Sequence, residues 1–263
     1  MSQVLTETRG GIRIVTLNRP ERKNAFTPQM IVDLEAALTE AAGDAAVRAV
    51  ILTGADGTFC VGGDVKAMNE GAGRDKSFFE RRKSLRDRMQ VSDLLHNMPK
   101  PTIAAIEGAA AGAGLSIALA CDFRISSATA KITTAFAKVG LSGDFGGTFF
   151  LTQILGAAKA RELYLFSPII SGKEAETIGM VSRSVDPGSA LDEALAFAQT
   201  LASGATVALG RMKANLNLAA AGGSLNEVMD LEAENFTHSA QTADHKEAAA
   251  AFVEKRPPDF RGA

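Results

Sequence analysis

Three glycine-bearing stretches of this 263-residue chain could bring backbone donors or a carboxylate up to a reacting group. The first is Thr58-Phe59-Cys60-Val61-Gly62-Gly63-Asp64, a loop that follows an apolar run ending at Thr53. Lacking Cβ, its glycines let main-chain N–H groups face a ligand closely. The second, Gly108-Ala109-Ala110-Ala111-Gly112-Ala113-Gly114-Leu115-Ser116, reads as a strand-to-helix junction. The unpaired amides of a first helical turn, with the helix dipole behind them, favour developing negative charge. Small residues of this kind also serve tight helix packing. Each stretch alone is therefore a weak signal, and the pair is a better one.

The third stretch, Gly140-Leu141-Ser142-Gly143-Asp144-Phe145-Gly146-Gly147-Thr148, carries one carboxylate, and Phe136, Leu141, Phe145 and Phe149 lie close to Asp144 along the chain. Desolvation by such neighbours raises a carboxylate's pKa and strengthens it as a base. An aspartate just before a Gly-Gly-Thr helix start could equally be a cap, and both readings stand at this level.

The elements that must hold these stretches follow from periodicity. Val4 to Thr8 and Ile12 to Leu17 are rich in β-branched residues around Arg9-Gly10-Gly11 and predict a hairpin. Met30, Ile31, Leu34, Ala37, Leu38 and Ala41 recur at helical spacing after the Thr27-Pro28 start signal, with Gly43 as the stop. Strands are expected at Ala49 to Thr53, Thr102 to Ile106, Asp122 to Ser126 and Met180 to Val185. Helices are expected at about Asp75 to His96, Gly112 to Ala120, 157–166, 173–179 and 188–202. Such alternation predicts an α/β or mixed body over residues 1–203. Residues 204–263 carry no strand signal and read as three helices, Thr206 to Ala220, Leu225 to His238 and Thr242 to Val253, suited to packing or oligomerisation.

Composition narrows the function classes. A formal net charge of −2 gives no whole-molecule attraction to polyanions, so nucleic acid is not an expected partner. Arg74 to Arg88 holds seven basic residues, but Asp75, Glu80 and Asp87 interleave with them, as on a solvated helix face. Cys60 and Cys121 are too few for a disulfide framework and lie in no metal-ligand spacing, and no metal site is expected. The amino terminus lacks the basic-then-apolar layout of a signal peptide and no apolar run reaches spanning length, so a cytoplasmic protein without membrane attachment is expected.

Leu17-Asn18-Arg19-Pro20-Glu21-Arg22-Lys23-Asn24-Ala25, then Phe59-Cys60-Val61-Gly62-Gly63-Asp64-Val65-Lys66, then Gly112-Ala113-Gly114 resemble, in order and spacing, the crotonase (enoyl-CoA hydratase/isomerase) superfamily. The match runs on to Phe252-Val253-Glu254-Lys255-Arg256. The resemblance implies a spiral of ββα units with a C-terminal helical trimerisation region, assembled as homotrimers or hexamers. It implies an acyl-CoA thioester substrate and no cofactor beyond the coenzyme A that the substrate carries. The oxyanion donors carried over by position are the amides of Gly63 and Ala113, with Ala113 standing where many relatives have glycine. Arg22, Lys23, Ala25, Gly62, Asp64, Val65 and Lys66 match the segments that hold coenzyme A, with Phe252 and Lys255 reaching in from a neighbouring subunit. Phe136, Leu141, Phe145 and Phe149 are the expected acyl pocket.

The departures from the family pattern carry as much information. Ser116 and Phe136 occupy the two positions where hydratases of the family have glutamates, and neither can deliver water as a carboxylate base. Asp144 falls where the dienoyl-CoA isomerases and the ring-expanding isomerases of phenylacetate catabolism have their aspartate, and its surroundings resemble the latter especially. A dehalogenase of the superfamily also has an aspartate here, but its chemistry uses a tryptophan, and this chain has none. The resemblance thus implies an isomerase moving a 3-enoyl-CoA double bond to the 2-enoyl position. Its alternatives are a 1,2-epoxyphenylacetyl-CoA isomerase forming the oxepin, an enoyl-CoA hydratase, or a non-catalytic acyl-CoA- or RNA-binding relative.

Overall fold

A computed structural model describes residues 2–64 and 77–263 of the chain. The expected hairpin forms: β1 (Val4–Arg9) pairs antiparallel with β2 (Ile12–Leu17). Helix α1 (Pro28–Gly43) starts where Thr27 Oγ1 accepts the Met30 N–H at 3.0 Å, with Pro28 in its first turn. Then come β3 (Ala49–Gly54), α2 (Phe78–Arg88), α3 (Gln90–Asn97), β4 (Thr102–Ile106), β5 (Ala109–Ala111), α4 (Ala113–Ala120), β6 (Phe123–Ser127) and β7 (Lys131–Thr133). Helix α5 (Gly147–Phe166), β8 (Ile170–Ser171), α6 (Gly172–Thr177), β9 (Arg183–Val185) and α7 (Ala190–Ala202) complete the α/β body. The C-terminal region is α8 (Thr206–Ala220), α9 (Leu225–Ser239) and α10 (Ala243–Glu254). Among the described residues, none of its elements is a strand.

The main sheet runs in the order β1-β2-β3-β4-β6-β9, parallel apart from the opening hairpin, and β5-β7-β8 form a small second sheet. Both faces of the main sheet are covered, and the period of two along each strand sorts its residues between them. Val15, Leu17, Val50, Leu52, Ala104 and Ile106 face a core shared with α1, α3 and α4. Ile12, Ile14, Ala49, Ile51, Ile103 and Ala105 face a second core with Ala194, Ala198 and Ala202 of α7. The four-residue spacing of those alanines makes a flat stripe on which the helix lies close to the sheet.

Three expectations about elements need correction. The single charged helix expected over residues 75–96 is two, α2 and α3, joined at Met89, and residues 65–76 lie outside the described residues. The helix expected at 157–166 extends back to Gly147 and is broken inside by Gly156 at φ +76°, a glycine-tolerated conformation that periodicity does not reveal. The strand expected from Met180 begins at Arg183, because Met180 and Val181 close the preceding turn onto Ala175.

Helix α8 is tied to the body by a buried cation. Lys213 Nζ lies 2.9 Å from Asp122 Oδ2 and donates to the carbonyl oxygens of Leu95 (2.9 Å) and Lys100 (3.2 Å). Cys60 and Cys121 are buried, and burial pushes both thiols up to about 12, so each stays protonated at neutral pH. No helix is long and apolar enough to cross a membrane among the described residues.

Candidate active site

The first two glycine stretches meet. The Cys60 N–H donates to Ala109 O at 2.9 Å and the Ala111 N–H to Cys60 O at 3.0 Å, so the 60–63 loop runs beside β5 as an added strand. This pairing delivers the loop to the start of α4. A Cβ on Gly62, at φ +87°, would stand 2.8 Å from Ala111 O and 3.1 Å from Ala113 N, and a Cβ on Gly114 would collide with the Cys60 carbonyl. Both glycines are therefore required by close backbone approach. Gly112 enters the helix at φ +52° and leaves the Ala113 N–H in the first turn. Neither the Gly63 N–H nor the Ala113 N–H donates a hydrogen bond among the described residues. Two unused amides thus stand on adjoining segments, one of them at the positive end of a helix.

The third stretch comes to the same place. Phe145, the residue after Asp144, packs against Phe26 with ring centroids 6.0 Å apart and planes tilted by 34°, and Phe26 forms a β-bridge with Gly63. The Asp144 turn is held by Ser92 Oγ donating to Phe145 O at 2.8 Å and by the Gly147 N–H donating to Asp144 O at 3.1 Å. Phe145 adopts φ +49° and lies between Gly143 at +113° and Gly146 at +73°. Strain of this kind in a non-glycine residue is typical of turns that aim a functional side chain. The Asp144 carboxylate does not cap α5, whose N-cap is Gly146 with no side-chain bond, so the capping alternative falls.

The Asp144 carboxyl is largely buried, and its Oδ1 has no hydrogen-bond partner among the described residues. Burial pushes its pKa up to about 6, against a weaker pull downward from the Arg88 guanidinium. Opposite it stands Tyr164 of α5, the only tyrosine of the chain, which the sequence reading did not single out. Its ring stacks on Phe136 at 5.9 Å with planes 6° apart, its hydroxyl and Ser116 Oγ would both collide with a Cβ on Gly147, and the Asp144 charge acts on it. Phe136 in turn covers Gly112, 3.9 Å from where a Cβ would be. Asp144, Tyr164, Ser116, Phe136 and the start of α4 are therefore neighbours.

The remaining expected residues divide. Leu141 is exposed, while Phe149 turns to His96 (6.2 Å) and Phe150, lining with Phe145 a neighbouring cavity of about 620 Å³. Of the residues expected to form the acyl pocket, Phe145 and Phe149 thus line this cavity, Phe136 lies against Tyr164 and Leu141 is exposed. His96 is half-buried, and burial lowers its pKa. Ala25 is buried and Arg22 and Lys23 are exposed on the turn whose Lys23 carbonyl accepts the Val61 N–H. Asp64 is paired with Arg19 at 2.9 Å, which joins that turn to the glycine loop. Val65 and Lys66 lie outside the described residues. Phe252 is exposed on α10 and Lys255 just past its end, and no hydrogen bond or ring contact among the described residues links either side chain to the site. No group of His, Cys, Asp and Glu that could hold a metal occurs among the described residues.

The family model described as "Enoyl-CoA hydratase/isomerase" matches residues 7–263. The 1,2-epoxyphenylacetyl-CoA isomerase of Escherichia coli K12 is 36% identical over 100% of this chain and 99% of its own length. The short-chain-enoyl-CoA hydratase of Clostridium acetobutylicum is 33% identical, covering 97% of this chain and 96% of that protein. The crystal structure of an enoyl-CoA hydratase from Polaromonas sp. JS666 superposes with a TM-score of 0.92 at 34% identity, covering 98% of this chain and 99% of that one. With a family model matching residues 7–263 and this full-length likeness, the chain belongs to the enoyl-CoA hydratase/isomerase family and is an enzyme of the crotonase fold.

Proposed function

We propose that the chain is an acyl-CoA isomerase that moves a proton along the acyl group with one carboxylate, and that its reaction is the shift of a 3-enoyl-CoA to the 2-enoyl-CoA. The observation that carries this reading is Asp144, a buried carboxylate with an unpartnered Oδ1 and a pKa pushed up to about 6. Asp144 takes a proton from C2, and the C–H electrons pass into the thioester as a dienolate whose oxygen is held by the Gly63 and Ala113 amides. The dienolate then recovers the proton at C4 from the same carboxyl, leaving the double bond conjugated to the thioester. Each preorganised donor stabilises such an oxyanion by about 2.7–4 kcal/mol. Phe136 and Ser116 supply no second carboxylate to activate water, which disfavours hydration. The reaction requires no group beyond the coenzyme A of the substrate.

A second reading, ring expansion of 1,2-epoxyphenylacetyl-CoA, is favoured by the Phe136–Tyr164 stack beside Asp144 and by the name of the Escherichia coli relative. It uses the same base and the same donors. The C-terminal helices expose Leu216, Leu225, Met229, Phe236 and Phe252, and we assign this apolar face to contact with further copies in a trimer. Sedimentation of the purified chain as a monomer at micromolar concentration would remove that assignment.

Turnover of 3-enoyl-, 2-enoyl- and epoxidised aromatic acyl-CoA thioesters, followed by absorbance, tests the reading. For the thioester that is converted, kcat/KM is expected to follow the ionised fraction of Asp144. It should be level above about pH 7 and fall about tenfold per pH unit below 6, because protonation removes the base. An inflection near pH 4 would place the essential base elsewhere, and conversion of 2-enoyl-CoA alone would favour a hydratase.

A further inference from the structure

We propose that Phe26 is a positioning residue that holds the two halves of the site in register, its main-chain N–H aiming the Gly63 amide and its ring bracing the turn that carries Asp144. The inference rests on the reading of Gly63 as an oxyanion donor and of Asp144 as the base. The Phe26 N–H donates to Gly62 O at 2.8 Å, within the β-bridge between Phe26 and Gly63. Gly62 C=O and Gly63 N–H belong to one peptide unit, and no peptide bond is cis among the described residues. A trans peptide sets its N–H opposite its C=O, so this bond turns the Gly63 N–H away from Phe26.

Gly62 is gripped on its other side as well. Its N–H donates to Cys60 Sγ at 3.3 Å, and the Cys60 thiol, protonated at neutral pH, donates to Asn24 O at 3.0 Å. The fully buried Asn24 is anchored in turn, its side-chain amide donating to Ala55 O at 3.0 Å and to Thr58 O at 2.6 Å. Residues 24–26 and 58–62 are thus tied together by several bonds, and the Gly62–Gly63 peptide has little freedom to rotate.

The ring of Phe26 serves the base. It is buried, and its centroid lies 6.0 Å from that of Phe145 with planes tilted by 34°, inside the range of favourable aromatic pairs. Phe145 follows Asp144 and adopts φ +49°, a conformation that its surroundings must hold. The Ser92 hydroxyl fixes its carbonyl at 2.8 Å, and Phe26 fixes its ring. The charged and titratable groups that act on Asp144 are the Arg88 guanidinium at the end of α2 and the Tyr164 hydroxyl of α5, and neither is part of this contact. Phe26 thus reaches the donor through its backbone and the base through its side chain, and acts on both only through neighbours.

The two tasks are read separately. Phe26→Leu keeps the N–H and removes the ring, so Phe145 loses its aromatic partner and water gains access to the Asp144 turn. The acid limb of kcat/KM is expected to move down by about half to one pH unit from its wild-type position at about 6, with kcat lower by about 3- to 10-fold and KM within about twofold. Phe145→Leu breaks the same contact from the other side and should displace the limb equally, and the double variant should displace it no further. Phe26→phenyllactate turns the amide into an ester and removes only the N–H. It should leave the acid limb in place and lower kcat by about 10- to 100-fold. In difference infrared spectra of a bound, carbonyl-labelled, unreactive thioester, this ester variant should return the C=O stretch toward its free-solution frequency. A merely structural phenylalanine would lower the melting temperature in each variant and move neither signal. A wild-type acid limb in both leucine variants, or a wild-type carbonyl stretch in the ester variant, would overturn the inference alone. A wild-type enzyme whose limb lies at about pH 4, the ordinary carboxylate range, or one that leaves the thioester carbonyl unshifted, would overturn the reading of Asp144 or of Gly63 on which the inference stands.

Discussion

Asp144→Asn is expected to lower kcat for the 3-enoyl to 2-enoyl conversion by about 10²–10⁴-fold, the range of a positioned general base. KM and the affinity for an unreactive acyl-CoA should stay within about twofold, since the amide fills the same space and no role in holding the nucleotide falls on this residue. The loss cannot be ascribed to unfolding. The folded-state pKa of Asp144 is raised by burial, so folding favours the protonated form, and stability is lost as pH rises from 3.8 to about 6, the full cost being present at pH 7. The neutral asparagine escapes that cost and should melt at the wild-type temperature or above at pH 7. The conversion assay gives kcat, calorimetry with the unreactive thioester gives affinity, and a thermal melt gives stability. Wild-type turnover in this variant would remove Asp144 from the mechanism.

Gly62→Ala is the next largest expected effect, and it acts on the donors. The new Cβ would sit 2.8 Å from Ala111 O and 3.1 Å from Ala113 N, so the loop and the start of α4 must separate, and φ at this position is +87°. Separation degrades the oxyanion donors, each worth about 10²–10³ in kcat, and the fall should appear in kcat before KM. Gly57→Ala is the matched control, with φ +66° but nothing within 4 Å of the added carbon. It carries the conformational strain alone, about 1–2 kcal/mol of stability. Steady-state kinetics of the two variants side by side separate close approach from strain. A Gly62→Ala enzyme within threefold of Gly57→Ala would argue against this loop as part of the oxyanion site.

Much of this was legible in the sequence because local rules and tertiary demands coincide. The β-branched hairpin, the Thr27-Pro28 helix start and the four-residue alanine spacing of α7 are written in residue type and period, and the structure reproduces them. The glycines at 62, 112 and 114 were readable as sites of close approach, and Asp144 as a carboxylate among aromatics.

What escaped depends on contacts that no local pattern encodes. Tyr164 sits in a helix beside the exposed Leu165 and Phe166, and only folding brings its hydroxyl to Ser116, 48 positions earlier (164 − 116). The three-residue strands β5 and β7 and the two-residue β8 are too short to show a period. The division of α2 from α3 falls at Met89, with neither glycine nor proline to announce it. Lys213 reads as one more surface lysine, yet it is buried against Asp122.

The most direct test follows a 3-enoyl-CoA deuterated at C2 through a single conversion in ¹⁸O-water, with the product analysed by mass spectrometry and NMR. A lone carboxyl that shuttles the hydrogen predicts 2-enoyl-CoA with part of the deuterium at C4 and no ¹⁸O in the acyl chain. A 3-hydroxyacyl-CoA carrying ¹⁸O would contradict it, for the enzyme would then be activating water although Ser116 and Phe136 offer no carboxylate for that task.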